Sequence, residues 1–435
     1  MTPLALGFTG MAVMLLLLII RIPIGVALGL VSLAGIFAVR GTSALFGAAK
    51  GMPFEFIAKW ELSAIPMFLL MGSVAFHSGM TGRLFHAMRL WLSWLPGGLA
   101  VATNVACAGM AAASGSSLAT SASMGRLAIP EMLRYRYDPG LATGVVATAG
   151  TLGSLIPPSI LMIIFGMMTT TSISSLFMAG IVPGVLTAFA YTLMIVIRCS
   201  MNPQLAPRVV ESVTWRERAL ALLRTWQLPV LVLVVIVSLY SGIATTTETA
   251  AVGALAAFVM AALDRSLSRR MIRDSILETL RSTSTILFIA LGAIFFSRFL
   301  ALCGVPQFMA GFAEALQVSP VLMLFGIGVV YLILGMFLDP LGLMLLTVPV
   351  FSPFFAAAGL DKVWVGIMVI KFIEIGLITP PVGLNAFVVK GVVGDRVGLG
   401  TIFRGLGWFI ATEVVVIVIL TVFPQIVTFL PDRMQ

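Results

Sequence analysis

The chain alternates long runs of apolar residues with short polar segments. No charged residue occurs in the runs MAVMLLLLII, LPVLVLVVIVSLY, ILFIALGAIFF and VVVIVILTVF. A helix needs roughly 20 residues of this kind to cross the hydrocarbon core of a bilayer. The pattern therefore predicts an all-α polytopic membrane protein with room for about ten to twelve spans. The first span is expected within MTPLALGFTGMAVMLLLLII, which lacks the leading positive charges of a secretory signal.

Two of the apolar segments are interrupted by glycines and a pair of prolines. The first reads GTLGSLIPPSILM from Gly150 to Met162, and the second reads IGLITPPVGLN from Ile375 to Asn385. Proline inside a helix removes a backbone donor and clashes with the preceding turn, at a cost of about 3 kcal/mol. Both segments are therefore predicted to be interrupted transmembrane helices. Such breaks free backbone carbonyls that could hold a cation.

The two breaks belong to an internal repeat. They lie about 223 residues apart, and other landmarks recur at nearly the same spacing. PMFLLMGSVAFHSGM at Pro66 matches the character of ILFIALGAIFFSRFL at Ile286, and SGSSLATSASMG at Ser114 aligns with GMFLDPLGLMLL at Gly335. The pattern predicts two structural repeats of roughly two hundred residues, joined by the basic loop near Arg208.

Each repeat has a second interrupted segment before its broken helix. The sequence from Leu99 to Pro130 is interrupted by AAASGSS, and the sequence from Pro320 to Pro353 is interrupted by FLDPLG. Neither half of either segment is long enough to cross a bilayer alone. We therefore predict a re-entrant helical hairpin in each repeat, with its tip against the broken helix of the same repeat.

The distribution of charged residues predicts how the two repeats are oriented in the membrane. Only 10% of residues are charged, against about 25% in a soluble domain, and the net charge is +9. Basic residues collect in cytoplasmic loops of membrane proteins, so this excess does not predict a nucleic-acid partner. The segments assigned to the cytoplasm are Arg83–Arg89, Arg126–Arg136, Arg198–Arg224, Arg265–Arg281 and Lys390–Arg404.

The segment of the first repeat that corresponds to the loop Arg265–Arg281 has few basic residues. The equivalent loop, from Arg40 to Trp60, holds only Arg40, Lys50 and Lys59 as basic residues. The two repeats are therefore predicted to be inverted relative to each other. Inverted repeats with interrupted helices are typical of secondary transporters, whose sites form where the broken helices meet.

These features divide the chain into six segments. The predicted segments are 1–97 (first-repeat scaffold helices and an interfacial arm helix), 98–170 (first-repeat hairpin and broken helix), 171–227 (closing helix and basic linker), 228–318 (second-repeat scaffold and arm helices), 319–391 (second-repeat hairpin and broken helix) and 392–435 (C-terminal helix).

Five motifs in order carry a resemblance to a known family. They are SGSSLATSASMGRLAIPEML, GTLGSLIPPSI, GIATTTETAAVGAL, GMFLDPLGLMLLTVPVFSP and IGLITPPVGLN. Together they resemble the DctM-type large membrane subunit of the tripartite ATP-independent periplasmic (TRAP) transporters, over nearly the whole chain. One departure is Thr246, where many members have proline.

The resemblance implies a sodium-driven importer of organic acids in the bacterial inner membrane. It implies two protein partners, a small DctQ-type membrane subunit and a DctP-type periplasmic binding protein that delivers the substrate. It also implies an elevator motion, in which hairpins and broken helices carry the site past a fixed scaffold. Sodium would be the coupling ion, and no other cofactor is expected.

Sodium is a hard cation that prefers oxygen ligands, so carbonyls and hydroxyls at the breaks are the expected ligands. In the first repeat the predicted sodium ligands are Ser114 or Ser116 at the hairpin tip, with Gly153, Ile156 and Pro158 at the break. In the second repeat they are Gly335, Gly376, Thr379 and Val382.

An anionic substrate would meet helix N-termini at the breaks, each with roughly half a positive charge. The predicted substrate ligands are Ser116, Ser117, Thr120, Asp339, Thr379 and Asn385. An alternative for the Ser/Thr cluster is that small residues allow close helix packing. For Asp339, the alternative is a helix cap, because a proline follows it at the first helical position.

Other charges inside apolar segments need a partner. Lys371 and Glu374 are three residues apart on one helix face and are expected to pair with each other. Glu413 and Arg298 are expected to form a cross-helix ion pair or to contact the small subunit.

The sequence lacks the motifs of other common function classes. The chain contains no Walker-type glycine loop, HExxH helix or GxSxG elbow, so an ATP-driven pump or a common hydrolase is not expected, and neither is an enzyme. A passive channel would share the helix breaks and stays an alternative. A proton-coupled carboxylate transporter is a further alternative, in which Asp339 and the histidines His77 and His86 would carry the protons.

Overall fold

The computed structural model describes residues 2–207, 213–315 and 319–433, and these residues form helices and turns with no strand among them. The all-α fold class predicted from the apolar runs is therefore confirmed. Arg208, where the sequence places the junction of the repeats, lies outside the described residues.

The helices of the first repeat run from the N-terminus to the basic linker. They are α1 (Pro3–Ile19), α2 (Ile24–Ile57), α3 (Ala64–His77), α4 (Met80–Leu92), α5 (Gly98–Ser114), α6 (Ser117–Arg134), α7 (Pro139–Ala149), α8 (Leu152–Leu155), α9 (Ile160–Thr169) and α10 (Ile173–Met201). Short 3₁₀ turns lie at Trp60–Ser63 and Pro203–Leu205.

The helices of the second repeat follow the linker in the same order. They are α11 (Trp215–Leu223), α12 (Gln227–Tyr240), α13 (Thr246–Leu263), α14 (Arg269–Leu302), α15 (Val305–Ala315), α16 (Pro320–Gly335), α17 (Pro340–Ala357), α18 (Lys362–Gly376), α19 (Leu384–Val393), α20 (Leu399–Val422) and α21 (Gln425–Thr428). Further 3₁₀ turns lie at Gly394–Arg396 and Pro431–Arg433.

Corresponding elements of the two repeats have matching lengths and reciprocal neighbours. The returning hairpin helices α6 and α17 both have 18 residues, and α9 and α19 after the breaks both have 10. Helix α2 packs on α14 while α3 packs on α13, and α7 packs on α20 while α10 packs on α18. Two copies of a unit related by a two-fold axis make this kind of reciprocal contact.

The two hairpins enter the bundle from opposite ends. The first hairpin opens beside Asp138, where α7 begins, and the chain then crosses the bundle through α9 to Thr169. The second hairpin opens beside Lys362, whose ammonium donates to the carbonyl oxygen of Thr169 at 3.4 Å. Because Asp138 and Thr169 lie at opposite ends of the broken helix, the hairpins are inverted relative to each other, as predicted.

Two segments expected to be loops are helical, so that part of the prediction is wrong. Helix α2 continues through Arg40–Trp60 as far as Ile57, with a kink at Gly41 (φ 75°). Helix α14 covers most of Arg265–Arg281 and begins after Ser268, whose hydroxyl accepts the N–H of Met271 at 3.1 Å. Charged residues favour water but do not end a helix, and no glycine or proline interrupts α14 before Gly292.

The bundle has fewer full spans than the apolar runs suggested. Among the described residues, seven helices are long and apolar enough to cross a bilayer, and two bent pairs raise the number to nine. Three further apolar helices, α1, α5 and α16, have only 10–17 residues. Such helices are too short to cross alone, and two of them are the entering arms of the hairpins.

Candidate functional site

The first hairpin turns at Gly115, and its tip contacts the break in the helix that follows. The backbone N–H of Ile160 donates to the carbonyl oxygen of Gly115 at 3.3 Å. Gly115 has a φ of +63°, and a Cβ built on it would lie 2.7 Å from the carbonyl oxygen of Pro158. Glycine is the residue that fits this turn without moving either backbone, so Gly115 holds the tip against the break.

The predicted first-repeat sodium ligands lie around this contact. The Thr120 hydroxyl donates to the Ser116 carbonyl oxygen at 2.8 Å and lies 2.7 Å from the Ser114 hydroxyl. A Cβ on Gly153 would lie 2.6 Å from the same Ser116 oxygen. Ile156 ends α8 in an extended conformation. The contact is therefore rich in hydroxyl and carbonyl oxygens, the donor types that suit a hard cation.

The second hairpin meets its own break in the same way. A Cβ on Gly376 would lie 2.8 Å from the Cα of Gly335. The N–H of Gly383, at the end of the break, donates to the Met336 carbonyl oxygen at the hairpin tip at 3.1 Å. The four predicted second-repeat sodium ligands lie in this tip and break: Gly335, Gly376, Thr379 and Val382. The prediction that each hairpin tip contacts the broken helix of its own repeat is thus confirmed.

Asp339 lies at the second hairpin tip and caps α17. Its Oδ1 accepts the backbone N–H groups of Leu341 at 3.1 Å and Gly342 at 2.9 Å, and Pro340 occupies the first helical position. The helix cap, the alternative role left open for Asp339, is confirmed. Asp339 also lines the central cavity described below, so the substrate role stays a prediction.

Replacing this cap is expected to destabilise the hairpin. Asp339→Ala removes the acceptor for two helix N–H groups and is expected to lower the free energy of unfolding by about 0.5–2 kcal/mol. Asp339→Asn keeps a capping oxygen and is expected to stay within about 0.5 kcal/mol of the parent. Denaturant unfolding of the purified protein in detergent measures both, and equal losses for the two variants would contradict the capping role.

A cavity of about 450 Å³ lies between the hairpin tips and the helices α3 and α14. Of the predicted substrate ligands, those that line it are Ser116 and Asp339, together with the predicted sodium ligand Ser114. The cavity is not lined by the other predicted substrate ligands, which are Ser117, Thr120, Thr379 and Asn385. Asn385, for example, is buried and donates to the Ala147 carbonyl oxygen at 3.1 Å.

The opposite wall of the cavity carries residues that sequence reasoning missed. Arg281 and Glu278 lie on α14 and line the cavity with Ser73 of α3. The Ser73 hydroxyl donates to the Glu278 carboxylate at 2.5 Å, and Nε2 of His77 lies 2.9 Å from the same oxygen. These charges were interpreted only as cytoplasmic loop residues. A signal was present, because residues 278, 281, 282 and 285 have the spacing of one helix face.

The cavity continues into a second space of about 550 Å³ on the arginine-rich side of the bundle. The two spaces share Phe76, Glu278, Arg281 and Ser282, and the second is lined also by Arg126 and Arg273. The positive-inside rule places this side in the cytoplasm. The central cavity therefore adjoins the side of the bundle that this rule assigns to the cytoplasm.

Lys371 has a different partner from the one predicted. Its ammonium forms an ion pair with Glu413 of α20, not with Glu374, and donates to the Thr187 hydroxyl at 3.2 Å. Glu413 also accepts a hydrogen bond from Tyr191 of α10. The expected cross-helix pair of Glu413 is confirmed. The Lys371–Glu374 pairing is wrong because α18 packs on α10 and α20, which bring an acceptor closer to Lys371 than its neighbour one turn away.

Inverted hairpins whose tips line one central cavity and contact broken helices are typical of secondary transporters. Residues 11–426 match the family described as "Tripartite ATP-independent periplasmic transporter, DctM component". The chain therefore belongs to this family of TRAP large permease subunits, which places it in the bacterial inner membrane as a multi-pass protein and not an enzyme.

Relatives and solved structures agree with this assignment. The chain is 38% identical over 379 residues to the C4-dicarboxylate TRAP transporter large permease protein of Pseudomonas aeruginosa, which covers 87% of this chain and 86% of that protein. It is 31% identical to the sialic acid TRAP large permease of Vibrio cholerae, covering 96% of both. The Alcanivorax borkumensis YdaH transporter has a similar fold, with a TM-score of 0.62 at 16% identity, covering 88% of this chain and 89% of that one.

Proposed function

We propose that this chain is the large membrane subunit of a sodium-coupled importer of an organic acid. The acid would be delivered by a periplasmic binding protein, and a small membrane subunit would complete the membrane complex. The observation that carries the proposal is the central cavity, walled by both hairpin tips on one side and by α3 and α14 on the other. A positively charged side chain, Arg281, faces this cavity and suits a carboxylate.

Sodium coupling is supported by the two contacts between tip and break. Each contact brings backbone carbonyls and hydroxyls together where the helix is interrupted, as at Ser116 and Gly153 in the first repeat. A cation bound at such a contact would hold the tip against its break. The tip also lines the substrate cavity, so ion binding and substrate binding would share the same structural element.

An elevator motion is supported by the division of the cavity wall. One side consists of the hairpins and α9, which surround the breaks, and the other consists of long scaffold helices. The proposed motion carries the hairpin side past α3 and α14, so that the cavity opens alternately to the two sides of the membrane.

The names of the relatives support the partners and the substrate class. Proteins similar to this chain are named for C4-dicarboxylates, sialic acid and ectoine, which carry a carboxylate, and one is named for isethionate, which carries a sulfonate instead. A relative from Oleidesulfovibrio alaskensis is named DctMQ, a single permease protein of which this chain covers 60%. This relative supports a small subunit that lies beside the DctM-type chain.

The proposal is tested by uptake into proteoliposomes. The chain and its small subunit are reconstituted, loaded binding protein is added outside, and sodium and proton gradients are imposed separately. We expect substrate to accumulate against its gradient only when sodium is directed inward and the binding protein is present. Equilibration without accumulation would instead indicate a passive channel. Accumulation driven by a proton gradient alone would contradict the proposed sodium sites.

A further inference from the structure

The charges of the central cavity restrict the number of carboxylates that a substrate can carry. Three charged residues line it among the described part of the chain: Glu278, Arg281 and Asp339. Glu278 is paired with His77 and Ser73, and Asp339 accepts two backbone N–H groups. No described residue pairs with the Arg281 guanidinium. The cavity thus offers one unpaired cationic group, while its two acidic side chains disfavour a second carboxylate nearby.

The hydroxyls of the cavity restrict the remainder of the substrate. Seven hydroxyl side chains of the described residues line it: Ser73, Ser114, Ser116, Ser123, Thr279, Ser282 and Thr285. A hydroxyl has one proton to donate but two lone pairs that accept. Those that have already donated their proton to the protein can therefore only accept a hydrogen bond from a ligand.

Four of the seven hydroxyls donate their proton to another group of the protein. For three of them the acceptor has no proton of its own to give: Ser73 donates to the Glu278 carboxylate, Thr279 to the Ser275 carbonyl oxygen at 2.8 Å, and Thr285 to the Arg281 carbonyl oxygen at 3.0 Å.

The fourth is the Ser114 hydroxyl, which lies next to another hydroxyl, that of Thr120. The only proton of its partner, the Thr120 hydroxyl, goes to the Ser116 carbonyl oxygen, so Ser114 must donate to Thr120. Most of the polar wall therefore needs a ligand that donates hydrogen bonds.

We propose that the cavity binds a polyhydroxylated monocarboxylate. Arg281 would bind its carboxylate, and the four cavity hydroxyls that already donate to the protein would accept hydrogen bonds from its hydroxyl groups. A dicarboxylate that has no hydroxyl or amino group, such as adipate, has no proton to donate at neutral pH, and its second carboxylate would face lone pairs and the acidic side chains. A ligand with one carboxylate and several hydroxyls matches both features. This inference rests on the proposed function, because it names the substrate class of the same cavity.

The test compares four acids with six-carbon chains. They are gluconate (one carboxylate, five hydroxyls), adipate (two carboxylates), hexanoate (one carboxylate, no hydroxyl) and 6-aminohexanoate (one carboxylate, one ammonium). The full chain is purified with its small subunit, and binding is measured by calorimetry in sodium without the binding protein, whose own selectivity would mask that of the cavity. We expect the dissociation constant of gluconate to be about tenfold or more below those of the others, because the neutral hydrogen bonds donated by several of its hydroxyls together amount to about that factor.

Two variants assign the effect to the cavity. Arg281→Gln is expected to raise the dissociation constant of gluconate by about tenfold or more. Glu278→Gln keeps an acceptor for Ser73 but removes the negative charge. It is expected to reduce the ratio between the dissociation constants of adipate and gluconate. Arg270→Gln is the control, because this arginine lies on the exposed start of α14, 92% accessible and outside the cavity, and should leave all four constants unchanged.

The outcomes separate this inference from the proposed function. If adipate or 6-aminohexanoate binds as tightly as gluconate and Arg281→Gln weakens it, the inference fails while an organic-acid carrier stands. If none of the four acids binds, the inference is overturned. The uptake assay with the loaded binding protein then decides independently whether the chain is a sodium-coupled carrier.

Discussion

Replacing Lys371 by methionine is expected to lower the free energy of unfolding by about 3–5 kcal/mol. Lys371 and Glu413 are each about 2% exposed and form an ion pair between α18 and α20. The substitution leaves the Glu413 carboxylate buried with only the Tyr191 hydroxyl as a partner. A buried charge without a counter-ion costs far more than the intact pair contributes. Denaturant unfolding in detergent, with matched protein-to-detergent ratios, measures the loss.

A double variant distinguishes loss of the pair from loss of packing. Lys371→Met with Glu413→Gln removes both charges and is expected to recover most of the stability, because no unpaired charge remains. Arg270→Gln serves as the control for charge removal. Its ion pair with Asp274 is exposed and spans 3.6 Å, so its loss should change the free energy by less than about 0.5 kcal/mol. If the double variant were no more stable than Lys371→Met, packing rather than charge would account for the effect.

Adding a single methyl group at Gly376 is expected to reduce sodium-driven uptake by about tenfold or more. A Cβ at this position would lie 2.8 Å from the Cα of Gly335 and 3.0 Å from its carbonyl carbon. Both atoms are backbone, so the hairpin tip has to move away from the break. Overpacking of this kind costs about 1–3 kcal/mol, and 1.4 kcal/mol is a factor of ten in an equilibrium constant. This cost destabilises the contact between the hairpin tip and the break, where sodium is proposed to bind.

Gly326→Ala is the matched control for Gly376→Ala. Gly326 lies within α16 of the same hairpin, and a Cβ there meets nothing within 4 Å. Alanine favours a helix over glycine by about 0.5–1 kcal/mol, so this variant should keep both stability and uptake. The measurement is initial uptake rate against sodium concentration in proteoliposomes. Unchanged sodium dependence in Gly376→Ala would show that the second contact between tip and break is not an ion site.

Local sequence patterns predicted the parts of the site that depend on neighbours in the chain. Paired prolines located both breaks, and the short apolar halves around AAASGSS and FLDPLG located both hairpins. The proline after Asp339 predicted its cap, and the structure confirms it. These features follow from backbone donors and acceptors within a few residues, which the sequence displays directly.

Other parts of the site depend on contacts between distant segments. The charged residues near Arg281 were interpreted as a loop because they are basic, yet α14 carries them from an exposed end to the wall of the cavity. The shared helix face of Lys371 and Glu374 predicts that the two residues pair with each other. The structure brings Glu413 of another helix to the ammonium instead.

The membrane location of this protein, its two inverted repeats, its helix breaks and its family could all be predicted from the sequence. Apolar length, glycine and proline positions and charge asymmetry are properties of the chain that need no folded structure. The tertiary structure alone decided which oxygens and charges share a space. Ser114, Asp339, Glu278 and Arg281 come from three segments of the chain and meet at one cavity. Their meeting depends on helix packing between inverted repeats, and packing is set by the whole bundle and not by any one segment.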